Sequence, residues 1–129
     1  MNGDLKLRLK PFLKLDFDES MFWGRLLDQL GTEALTGLEN GGHIVYCFGP
    51  IDNGEDDTGY VTGDGYEFEL ALDSRMPFGM VVDYLIHELA HIHSWERADD
   101  AEDHCDEFGK SYALLHRLYI ELYEEYWCA

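Results

Sequence analysis

The feature that most restricts this chain is a change of hydrophobic period in its middle. Tyr66 to Leu72 reads YEFELAL. Tyr66, Phe68, Leu70 and Leu72 fall on one side and Glu67, Glu69 and Ala71 on the other, the pattern of a half-buried strand. After Pro77 the period lengthens. Phe78, Val81, Val82, Leu85, Leu89 and Ile92 recur as the buried stripe of a helix from about Pro77 to Ser94, and proline suits the first helical position. A strand that runs so soon into an amphipathic helix calls for a sheet laid on helices, an α+β domain.

The other segments fit that plan. Ser20 to Leu38 reads as an amphipathic helix with Phe22, Leu26, Leu27 and Leu30 on one side, weakened late by Gly31 and Gly37. His43 to Phe48 is a short β-rich run closed by Gly49-Pro50, and residues 51–65 suit loops and a tight hairpin. A last helix is expected from about His104 towards Tyr126, with Phe108, Tyr112, Leu115, Tyr119 and Leu122 at helical spacing and Asp103 as its N-cap. At 129 residues, 46% apolar, the chain suits one domain over residues 1–129, with residues 1–17 as an N-terminal strand or arm.

Charge narrows the partners. The net charge is −18, although residues 1–15 carry +3. That field opposes direct nucleic-acid binding. No apolar run approaches a membrane span, and three cysteines without framework spacing point to a reducing, cytoplasmic setting.

The chemistry is expected in the helix after Pro77. His87-Glu88-Leu89-Ala90-His91 is an H-E-x-x-H pattern. On a helix the two histidines share a face and can reach one metal ion, while Glu88, offset by about 100°, can address a metal-bound water as general base. Zinc needs a third protein ligand. His104, at the expected start of the last helix, is the first candidate and Glu107, one turn on, its rival. His93 projects away from His91 and reads as a polar residue at the helix end; His43 and His116 read as mostly structural, with His116 still placed to line the site. Cys105 should point elsewhere.

The run Ile86 to Trp95, followed by Asp103 to Gly109 and Tyr112, resembles the SprT-like zincin metallopeptidases and the small zincin-like proteins of phages and mobile elements. The resemblance covers about residues 60–120. It implies a zincin-like minimal metallopeptidase domain, a small antiparallel or mixed sheet packed on the H-E-x-x-H helix and a C-terminal helix. It further implies Zn²⁺ held by His87, His91 and His104, Glu88 as catalytic base, and strand 66–72 as the edge along which an extended peptide lies. Cys105 stands where that family usually has glycine. ImmA/IrrE-like regulatory proteases, which use a downstream glutamate, are the related alternative through Glu107.

The expected function is therefore a zinc-dependent peptidase. Tyr112 is a candidate oxyanion donor, equally readable as a core aromatic. The substrate would be a peptide or protein; the acidic run Glu96–Glu107 reads first as a solvated connector and otherwise as a rim that favours a basic one. The competing expectation is a zinc-stabilised binding or regulatory protein without turnover, whose charge suits either mimicry of nucleic acid or a basic partner.

Overall fold

The computed structural model describes residues 17–51, 59–97 and 105–127, with the backbone alone for 17–20. The expected N-terminal strand or arm, the Asp103 cap and His104 lie outside the described residues. Within them the elements run α1 (Phe17–Leu35), β1 (His43–Gly49), β2 (Gly59–Gly63), β3 (Glu67–Asp73), α2 (Phe78–His93) and α3 (Asp106–Trp127). The architecture is a mixed α+β domain of three helices and a three-stranded sheet among the described residues.

The strand order is β1-β3-β2. β1 runs parallel to β3, pairing Ile44 with Phe68 and Tyr46 with Leu70, and β2 runs antiparallel to it, pairing Val61 with Leu70. The expectation that the strand before the helix forms a sheet edge is thereby corrected. β3 is the central strand, with both sets of backbone groups engaged by neighbours, and cannot take an extended peptide. The edge on the α2 side is β2, a strand hidden in a Gly- and Asp-rich stretch whose composition reads as loop. Asp64 makes that hairpin: its Oδ1 accepts the N–H groups of Tyr66 (2.9 Å) and Glu67 (2.8 Å), with Gly65 at φ +98° completing the turn.

Alternation along β3 holds for Phe68 and Leu70 but not beyond. Ala71, in register with Cys47 and Tyr60, is buried as well, and Tyr66 lies exposed before the strand. The inner face packs on Phe22, Trp23, Leu26, Leu27 and Leu30 of α1 and on Val81, Val82, Leu85, Leu89 and Ile92 of α2. Two glycines set how close the layers come. A Cβ on Gly31 would run into the Tyr46 hydroxyl, which donates to the Leu27 carbonyl at 2.8 Å. A Cβ on Gly37 would run into the His93 carbonyl. Gly31 and Gly37, which in sequence look only like weak points, admit neighbours.

Pro77 stands one residue before α2, at φ −57° and ψ 149°, and its carbonyl accepts the Val81 N–H at 3.1 Å. The entry to that helix is held by Asp73. Its carboxylate accepts Arg75 Nη2 (2.7 Å), Nε (3.0 Å) and backbone N–H (2.8 Å), and the Ile51 N–H at 3.2 Å. The Arg75 side chain first, then the backbone donors, hold this buried carboxyl down at about 2 against the opposing effect of burial.

A depressed folded-state value stabilises the fold fully above the ordinary carboxylate range, and the contribution decays as pH falls through about 2. Because Arg75 is largely solvated, the contribution is on the order of 1–2 kcal/mol. Asp73→Asn should lose that stability near neutral pH in chemical denaturation and flatten the acid decline between about pH 4 and about pH 2. An unchanged acid slope would show that Asp73 is not the linked group.

Candidate functional site

Helix α2 is buried around most of its circumference, and that fixes what its polar residues can do. Val81, Leu85, Ile86, Leu89 and Ile92 are buried together with Glu88 and His91. His87 is the most open of the three expected site residues, its side chain 35% exposed against 8% for Glu88. The i, i+4 spacing does bring the two histidines onto one face: their ring centroids lie 5.0 Å apart at 76°, one edge towards the other's face. His87 Nε2 stands 3.9 Å from Glu88 Oε1. Gly59 of β2 approaches from the sheet side, where a Cβ would meet Glu88 Cγ at 3.9 Å.

The third side of this group is aromatic. Phe108, from the first turn of α3, sets its ring 4.5 Å from that of His91 and 5.1 Å from that of His87. Tyr112 follows one turn on, 6.2 Å from Phe108 and stacked at 6.2 Å on His116. Burial, and secondarily the charge of Asp83, raise the Tyr112 hydroxyl above its ordinary value, so it is held as a neutral phenol. Glu107, the rival ligand, turns to Arg97 and Lys110, at 3.4 Å each. Cys105 is a half-buried free thiol.

His93 belongs to a separate node that ties the end of α2 to the start of α3. Its Nδ1 lies 2.6 Å from Ser111 Oγ and 3.0 Å from Arg97 Nη2, and Arg97 also donates to the His93 carbonyl at 2.8 Å. Burial first, and the guanidinium second, lower the imidazole's pKa against a weaker pull from Glu33. An acceptor role for Nδ1 suits that neutral ring. His93 is the last residue of α2, and its partner Ser111 comes from a different element, so no local pattern names it.

Compared with known protein families, curated proteins and solved structures, the chain matches none. Nor does any group of three or more His, Cys, Asp or Glu side chains among the described residues stand where it could hold a metal ion. The zinc expectations are corrected on these two findings. His87 and His91 share a face as their spacing requires, but among the described residues α3 sets a phenyl ring and no third donor against it, and Glu107 pairs with two cations. The resemblance to SprT-like zincins, the zincin-like fold class, the Zn²⁺ cofactor, the zinc peptidase with Glu88 as its base, the ImmA/IrrE-like alternative and the silent zinc-binding regulator are all withdrawn. The histidines and Glu88 form a packed polar seam between α2, α3 and β2.

A ligand that binds only the native state raises stability by an amount set by its concentration over Kd, about 4 kcal/mol at a thousandfold excess. Stoichiometric zinc should move the melting temperature of this protein by less than about 1 °C, in the wild type and in His91→Ala alike. A rise of several degrees that His91→Ala abolishes would restore a metal centre on this face.

Proposed function

We propose that this chain is a binding protein for a basic protein or peptide, acting through carboxylates that its own cations leave unbalanced. The observation that carries the reading is where the cations go. Arg25 pairs with Glu125 (2.8 Å), Arg75 with Asp73 (2.7 Å), and Arg97 and Lys110 with Glu107. Of the described basic residues this leaves Arg117. Exposed carboxylates at Asp28, Glu67, Asp83, Glu121 and Glu124 have no ion-pair partner among the described residues.

A net charge of −18 on 129 residues is costly to keep by self-repulsion alone. It becomes useful when a partner brings the counter-charge, because long-range attraction speeds encounter and excludes acidic competitors. Nucleic acid is disfavoured on the same ground.

Electrostatic attraction between exposed groups fades as the screening length falls from about 14 Å to about 4 Å on going from about 0.05 to about 0.5 M salt. A lysine-rich peptide should therefore bind by calorimetry at low salt, weaken by about tenfold or more over that range, and outcompete a glutamate-rich peptide of equal length. Absence of binding at low salt, or salt-independent binding, would contradict the reading.

A further inference from the structure

The strand order leaves β1 with one side unpaired by any described strand. Backbone direction says which groups that edge offers. The His43 N–H bonds to the Tyr66 carbonyl at 2.7 Å, and the Gly49 carbonyl accepts the Ser74 N–H at 3.2 Å, both on the β3 side. In a parallel ladder alternate residues turn both their backbone groups the same way. Ile44 and Tyr46 therefore turn theirs to the open edge, and neither has a backbone partner there among the described residues.

Edges of this kind are usually blunted by lysine, proline or a bulge. From Ile44 to Phe48 the run is IVYCF, with no charge and no proline. Beneath the edge, between β1 and α1, lies a hollow of about 100 Å³, floored by Leu27, Leu35, Ile44 and Tyr46 and rimmed by Asp28 and His43. On the opposite face of the sheet Val45 is exposed, and Glu67 and Glu69 stand beside it on β3 in register with His43 and Val45.

From this juxtaposition we infer that the open edge of β1 receives an extended segment of the basic partner as an added strand, one whose residues alternate between apolar and basic. The inference rests on the function proposed above and gives it a place. An added strand lies about 4.8 Å from β1, and its side chains alternate between the two faces. Those turned inward cover the hollow, where apolar groups are favoured. Those turned outward stand over Val45, within reach of Glu69 for a lysine or arginine. Main-chain bonds to Ile44 and Tyr46 supply affinity that is independent of sequence, and the two faces supply the selection. The hollow and the carboxylates thus specify one chemical pattern between them.

The probe is a short synthetic peptide alternating valine and lysine, compared with a peptide of the same composition in which the valines and lysines are segregated. Amide exchange is followed by NMR on the full chain. The alternating peptide should protect the amides of Ile44 and Tyr46 while leaving Val45 unchanged, and should bind about tenfold tighter than the segregated one. Thr32→Trp, which fills the hollow from its exposed rim on α1, and Glu69→Lys, which reverses the charge beside Val45, should each cost about tenfold in affinity. Asp106→Lys, an equal charge change at the start of α3 and outside the carboxylates named above, should cost far less.

Equal binding of both peptides with no protection at Ile44 and Tyr46 would overturn the site while leaving the basic-partner function standing. Failure of both to bind at low salt would overturn the function and the site with it. Protection of the same two amides in the free chain would also overturn the inference. If that protection grew with protein concentration the occupant would be a second copy, and if it were lost on replacing Lys6, Arg8 and Lys10 by glutamate the occupant would be the chain's own basic segment.

Discussion

Burial of α2 around most of its circumference is the constraint on which the rest of this structure depends. The helix meets α1, α3, β2 and β3, so Val81, Val82, Leu85, Ile86, Leu89, Ala90 and Ile92 form the centre of the core. An apolar stripe of five or six residues would normally leave an opposite face to water. Here α3 and the end of β2 cover the side that carries Glu88 and His91, with His87 at its open rim. Groups of this kind can be buried only if they are packed and partnered. Phe108 lies against both rings, and the ring contacts of Tyr112 extend the same aromatic layer along α3.

The apolar skeleton was largely legible in sequence, for a physical reason. Burial selects by period, and period is local: Phe22, Leu26, Leu27, Leu30 and the stripe of α2 can be read without knowing what they touch. What depends on distant partners was not legible. The order of the strands hangs on β2, whose Gly59, Thr62 and Gly63 resemble a loop because a short edge strand makes little demand on side chains. The value of Gly31 and Gly37 lies in the Tyr46 hydroxyl and the His93 carbonyl, which approach from other elements.

The same distinction governs the histidine motif. Spacing correctly places His87 and His91 on one helical face, because that follows from the geometry of a single helix. Whether such a face is a metal centre depends on what another element brings to it, and that is not encoded in the spacing. Among the described residues α3 brings a phenyl ring, while its Glu107 pairs with Arg97 and Lys110. The net charge, by contrast, needs no fold to be read, and the ion pairs among the described residues show which of their carboxylates are paired.

The central claim is that binding resides in the carboxylate surface and the open sheet edge, with the motif residues serving as packing. Its most direct test is the affinity of the alternating valine–lysine peptide for the double variant His87→Gln, Glu88→Gln, measured by calorimetry beside the wild type with folding verified by near-ultraviolet circular dichroism. The account predicts affinities equal within about twofold, since neither substitution changes the surface that carries the attraction. A loss of about tenfold or more in a variant that keeps its native spectrum would contradict it and return function to the histidine–glutamate face.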